Sequence, residues 1–185
     1  MLAVACRVIA DRGADGTRFA DVATAAAVGV STLQYYFGNR EAMLVAAFRF
    51  AADRDIEAVR VALAGIADPR DQLRHITTVL TGDAALDGGF SWRLWIESWR
   101  WAVRDPEMHT DVVRDYTTWR DVIASTLARG VAIGRFRADL DVRTAATQVL
   151  ALTDGLALPL ALGSQAIDAD RAAVALQGAL ARLTR

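Results

Sequence analysis

The chain has 185 residues, 54% hydrophobic and 23% charged, enough for one or two small domains with a continuous core. No apolar run reaches the roughly 20 residues that span a bilayer, and residues 1–12 mix apolar and charged side chains at helical spacing where a secretory signal would be continuously apolar. The formal net charge of −1 does not announce a nucleic-acid partner, and a lone Cys6 cannot close an intrachain disulfide, so a cytoplasmic setting is expected.

Leu2, Ala5, Cys6 and Ile9 fall at i, i+3, i+4 and i+7, which predicts a first helix to about Arg12, stopped by Gly13. Thr17 is expected to cap a second helix whose inward face is Phe19, Val22, Ala23 and Ala26. After a break at Ala27-Val28-Gly29, a third helix runs from Val30 to about Phe37. Gly38-Asn39 ends it, and Asn39 is expected to cap a long fourth helix from Arg40 to about Ala64. A turn over Gly65 to Asp68 leads to Pro69, which suits the first turn of a helix ending near Leu80. Thr81 to Gly89 reads as a loop, Phe90 to Arg104 as a tryptophan-rich helix, and Asp105-Pro106 as the start of a long helix closed by Gly134. A loop over 137–141 ends in Asp141, the expected cap of a helix from about Val142 to Leu162. A last helix covers about Asp168 to Leu183. No sustained alternation of period two occurs, so the expected fold class is all-α, with nine helices.

The stretch from Thr17 to Leu44 holds the functional signal. Two helices of about eight residues joined by a tight turn are too short to stand alone and need the first helix beneath them, which is the form of a helix-turn-helix. Leu33 and Phe37, four apart, share a face and anchor the third helix, leaving Val30, Ser31, Gln34 and Tyr35 outward. An outward valine and tyrosine are poor company for water but suit thymine methyls, base edges and phosphates. For Tyr36 a core role and a phosphate contact are equally open.

The runs GADGTRFADVA (13–23) and VGVSTLQYYFGNREAML (28–44) resemble the head of the TetR family of transcriptional regulators, closely over residues 1–48. The resemblance implies a TetR-type homodimer with a helix-turn-helix head over 1–47 and a ligand-binding and dimerisation domain over 48–185. It implies a repressor released from a palindromic operator by a small molecule. It further implies base-edge contacts from Val30, Ser31 and Tyr35, and phosphate contacts from Thr32, Gln34, Tyr36 and Arg40, with Arg18 near the backbone. The amino-terminal dipole of the fourth helix would assist Arg40. Two departures lower the expected phosphate grip. Gly29 stands where a serine or similar cap is common, and the sequence starts almost inside the first helix, without the basic arm that some relatives carry. The charges of 1–47 also cancel, Arg7, Arg12, Arg18 and Arg40 against Asp11, Asp15, Asp21 and Glu41, so a shallow salt dependence is expected.

All five tryptophans lie in the C-terminal half. Trp92, Trp95, Ile96 and Trp99 form one stripe, and Tyr116 and Trp119 form a second aromatic pair on the next helix. Such a set reads either as core or as the lining of an apolar ligand cavity, and Trp92, Trp95, Trp99, Tyr116, Trp119 and Asp154 are the candidate ligand contacts. Asp154, inside the apolar run LALTDGLALPLAL, needs a partner. It can pair with an arginine, cap the turn weakened by Gly155, or face the pocket, where with tryptophans it would favour a cation. Glu97 is expected in a solvated ion pair with Arg93 or Arg100. The segment ARGVAIGRFRADLDVRTAA (128–146) resembles the family loosely and names no ligand. Val149, Leu152, Leu156, Leu160, Ala173, Leu176 and Leu180 on the last two helices are the expected dimer face of an intersubunit four-helix bundle.

An enzyme is disfavoured. His75 and His109 sit on separate predicted helices, and no metal-ligand spacing, phosphate loop or nucleophile elbow occurs, so no cofactor is expected. The rival regulator reading is a dimeric ligand-binding homologue with weak or lost DNA binding.

Overall fold

The computed structural model describes residues 1–81 and 92–184. Within them the chain forms nine helices and no strand: α1 (Leu2–Gly16), α2 (Phe19–Ala26), α3 (Val30–Phe37), α4 (Arg40–Ala64), α5 (Pro69–Leu80), α6 (Trp92–Ala102), α7 (Pro106–Ala132), α8 (Val142–Ala161) and α9 (Ala169–Thr184). The expected loop from Thr81 to Gly89 and the helix start at Phe90 lie, after Thr81 itself, outside the described residues. Among the described residues no helix is long and apolar enough to cross a membrane.

The chain divides into two units, residues 1–55 with 93–114, and residues 56–92 with 115–185. The core of the first unit gathers Ala5, Ile9, Val22, Leu33, Met43 and Leu44, with Leu94 and Met108 from later in the chain. Three of the starts and stops expected from sequence are present: Gly13 breaks α1 at φ 74° and ψ 161°, and the Asn39 and Asp141 side-chain oxygens accept from the Ala42, and Arg143 and Thr144, backbone N–H groups; Asp68, read only as part of a turn, caps α5 in the same way through the Arg70 N–H. Thr17 departs from its expected role. It is fully buried, and its hydroxyl donates to the Gly13 carbonyl at 2.8 Å, so it seals the end of α1. The start of α2 is closed instead by Asp21, whose carboxylate accepts from the Arg18 N–H at 2.9 Å, the reverse arm of a capping box.

In the second unit α9 packs against α5 and α8. Its buried residues include Val59, Leu73, Ile76, Ile123, Leu127, Val149 and Leu176. Gly130 matters here because a Cβ at that position would lie 2.0 Å from the Phe136 ring. Only glycine leaves room for the ring here, and Arg135 and Phe136 donate back to the Gly130 carbonyl at 2.8 and 3.1 Å.

Candidate functional site

α3 has eight residues and a single fully buried side chain, Leu33, at 0% exposure. Phe37 is half-buried against the same core, so the helix is pinned along the predicted Leu33–Phe37 edge. The connection from α2 is tight: Ala27 takes φ 53° and ψ 43°, Val28 donates to the Ala23 carbonyl at 3.0 Å, and Gly29 begins α3. The turn fixes which face of α3 points away from the core. Val30, Ser31, Gln34, Tyr35 and Tyr36 all lie on it and are exposed, while Thr32 is half-buried. Tyr35 is 85% exposed and Tyr36 63%, their rings meeting edge-on with centroids 5.4 Å apart. Two phenols held against each other in water form a rigid surface with hydrogen-bonding tips and little rotamer freedom left to lose on binding.

The basic residues are arranged differently. Arg18 is exposed beside the start of α2. Arg12 pairs with Asp21. Arg40 turns its guanidinium inward: Nε donates to the Thr17 carbonyl at 2.6 Å, Nη2 to the Ala14 carbonyl, and Nη1 meets Glu41 at 3.2 Å. Further along α4, Arg49 bridges Asp111 and Glu107 at 2.6 and 2.7 Å. Beneath these, Cys6 is buried with its thiol donating to the Ala47 carbonyl at 3.2 Å. Burial pushes its pKa up to about 11, so the group is a neutral thiol.

The aromatic candidates fall into both units. In the first, Trp95 and Trp99 meet edge-on at 6.4 Å, and Trp101, off their stripe, stacks edge-on with Phe48 at 5.9 Å. Trp95 also bonds to Asp55, a buried α4 carboxylate pushed up by desolvation and gripped by the neighbouring Arg54 at 3.0 and 2.7 Å. Asp55 is not singled out by the sequence, because Asp53 and Glu57 flank it and only its place beside the buried Ala51, Ala52, Ile56 and Val59 sets it apart. In the second unit Trp92 is buried and donates to the Leu80 carbonyl at 3.0 Å, and Trp119 is buried.

The partner that Asp154 needs is a phenol, which is not among the three roles left open by the sequence. Tyr116 Oη donates to Asp154 Oδ2 at 3.1 Å, and among the described residues no arginine pairs with the carboxylate. Desolvation raises the Asp154 pKa, with the Tyr116 hydrogen bond opposing it. Burial and the adjacent carboxylate push the Tyr116 pKa up to about 12. Two open grooves on this unit, of about 560 and 520 Å³, include none of the aromatic candidates. They are lined by arginines, Arg120 and Arg143 in one and Arg70 and Arg74 in the other.

Four of the seven residues of the expected dimer face are buried without a second subunit. Val149, Leu156, Leu176 and Leu180 are buried within the single chain at 2%, 9%, 0% and 6% exposure, and Leu152, Leu160 and Ala173 are half-buried. These residues pack α8 and α9 into their own unit. The opposite side of α8 carries Ala151, Gly155, Leu158 and Leu162, all exposed at i, i+4, i+7 and i+11, and α9 leaves Val174 and Ala175 exposed. Helical spacing located an apolar face, and much of it is used within the chain itself.

Comparison with known proteins places this geometry. The family described as bacterial regulatory proteins, tetR family, matches residues 1–47, and the BetI-type transcriptional repressor C-terminal family matches 69–185. The chain belongs to the TetR family. Its C-terminal part is of the BetI type, and it is a DNA-binding transcriptional regulator rather than an enzyme. It is similar to the transcriptional regulator BetI of Burkholderia cenocepacia, 30% identical over 92% of this chain and 84% of that protein. Among solved structures it is similar to a transcriptional regulator from Saccharomonospora viridis in complex with choline (27% identity, TM-score 0.88, 99% of this chain and 94% of that one). A second similar structure is a TetR-family regulator from Rhodococcus sp. (27% identity, TM-score 0.82, 100% and 96%).

Proposed function

We propose that this TetR-family regulator is a homodimeric repressor that grips a palindromic operator with α3 and releases it when a small quaternary ammonium cation binds. The head spans 1–47, and 48–185 binds the ligand and the second subunit. Val30, Ser31 and Tyr35 read base edges, and Thr32, Gln34, Tyr36 and Arg18 hold the phosphates. Two copies related by two-fold symmetry present two α3 helices to successive major grooves. The copies join through the exposed stripe Ala151, Gly155, Leu158 and Leu162, together with the α9 face at Val174 and Ala175, rather than through the residues already buried in each chain.

The observation that carries the ligand class is the Asp154–Tyr116 pair. A half-buried carboxylate with a phenol as its partner and, among the described residues, no arginine paired with it keeps a negative charge that favours a cation. Quaternary ammonium groups are such cations, and aromatic faces attract them. The choline complex of the Saccharomonospora viridis neighbour supports this class. Calorimetry with choline tests it. Wild type should bind choline and ignore its uncharged carbon isostere, and Asp154→Asn should weaken binding about tenfold or more, the scale of one lost charge contact. Choline binding unchanged in Asp154→Asn would remove Asp154 from the site.

A further inference from the structure

The turn between α1 and α2 is gripped from two sides. Gly13, at φ 74° and ψ 161°, ends the regular path of α1 and turns the Ala14 N–H away from the helix. Ala14 is 3% exposed, so water does not satisfy that donor. Glu97 of α6 does, accepting from Ala14 N at 2.8 Å across a sequence separation of 83 residues. Arg100, one turn along α6, joins the same carboxylate at 3.1 Å and Asp15 at 2.9 Å. On the other side Arg40, the first residue of α4, donates to the carbonyls of Ala14 and Thr17. Three residues of the turn, Ala14, Asp15 and Thr17, are thus held by side chains from α4 and α6 before α2 begins at Phe19.

We propose that Glu97 is a positioning residue for operator binding: from α6 it fixes the α1–α2 turn, with Arg40 as its counterpart on α4, and so sets the presentation of α3. The bland alternative is a surface ion pair between Glu97 and Arg100, as the sequence suggested. Exposed pairs of that kind do little. The Ala14 bond differs because its donor is buried and has no helical acceptor. Arg40 follows the same logic. Its nitrogens are engaged with backbone carbonyls and Glu41, so its role is to brace the turn and not to hold a phosphate. A displacement of α6 by 1 Å would stretch a 2.8 Å bond past useful length and free the turn that leads into α2. α6 also carries Trp95 and Trp99, on the opposite edge of the helix from Glu97, so the same helix presents an aromatic face and the clamp.

The test uses the full chain carrying Glu97→Ala, Glu97→Gln or Arg100→Ala, read by amide hydrogen exchange over 14–17 and by binding to a fluorescent duplex of the DNA upstream of its own gene. Glu97→Ala should speed Ala14 exchange and weaken duplex binding by about tenfold or more, the loss of one charge-assisted hydrogen bond. Glu97→Gln keeps an accepting oxygen and should restore both part-way, to values between those of Glu97→Ala and wild type, since a neutral acceptor retains about half of such a bond. Arg100→Ala, which removes only exposed ion pairs to Glu97 and Asp15, should change both far less than Glu97→Ala does. Glu97→Asp keeps the charge but withdraws it by one carbon, and should follow alanine; it decides the matter where alanine unfolds the head. Wild-type exchange and affinity in Glu97→Ala, or a Gln variant as weak as Ala, would overturn the proposal. The proposal rests on the head's DNA-binding role and on no ligand, so failure of choline to bind leaves it standing. The exchange arm needs no DNA, so a duplex that wild type ignores speaks against that operator alone.

Discussion

α3 and α8 both leave apolar residues in water, and the two exposures have different chemistry. α3 buries one side chain and shows Val30, Ser31, Gln34, Tyr35 and Tyr36. α8 is twenty residues long, buries seven, and shows Ala151, Gly155, Leu158 and, just past its end, Leu162. Hydroxyls, an amide and aromatic faces match a polar, grooved surface such as DNA, where each tip finds an acceptor or donor. Alanine, glycine and leucine have nothing to offer such a surface but allow close, dry packing of another helix. Exposure alone does not name a partner; the atoms at the tips do.

The largest blow to this contrast would come from Leu158→Asp. Placing a carboxylate in a dry two-fold interface leaves two uncompensated charges, each costing about 3–5 kcal/mol, so the protein should elute as a monomer with α3 intact. An unchanged dimer would show that the stripe on α8 faces solvent. Next comes Tyr35→Ala, which should weaken operator binding by about 1–3 kcal/mol for each head in a band-shift titration. Its melting temperature should stay put, because the side chain is 85% exposed and such surface changes cost about 0.5 kcal/mol or less. Equal retardation would return Tyr35 to ordinary surface.

A smaller effect concerns Asp154. Its folded-state pKa is raised above 3.8, so the folded protein holds a proton that the unfolded chain has released. This group therefore costs stability as pH rises through the window above 3.8, and the cost is absent below it. Denaturant titrations should show that slope in wild type and lose it in Asp154→Asn; identical slopes would mean the carboxyl is solvated. The smallest effect is on salt. Arg18→Ala should lower the slope of log K against log salt by about 0.9 per head, the value of one phosphate contact, whereas Arg40→Ala should weaken binding with the slope unchanged. A slope change with Arg40 would give it back the phosphate role expected from its place in the sequence.

The head was legible because its constraints are local. Leu33 and Phe37 four apart, Gly13 ahead of a break, and Asn39 ahead of α4 each act within a turn or two of chain, and each did what its chemistry requires. Where a residue's partner is distant, spacing says only that a partner exists. Val149 and Leu176 formed an apolar face as expected, but the pattern is identical whether the face meets α5 in the same chain or a second subunit. Glu97 had an arginine within reach on its own helix, and nothing local pointed to the Ala14 amide. Thr17 and Asp21 both suit a helix start, and the fold chose by burying the first. Tyr116 and Asp154, 38 residues apart, could be nominated separately but not paired.

Operator affinity measured with and without choline tests most directly the proposed dependence of the DNA grip on a cation. Fluorescence anisotropy of a duplex from the upstream region, titrated with wild-type protein, should show the dissociation constant rising about tenfold or more at saturating choline, a coupling of about 1.4 kcal/mol. Choline bound to the protein, as calorimetry would register, with operator affinity unchanged would contradict it.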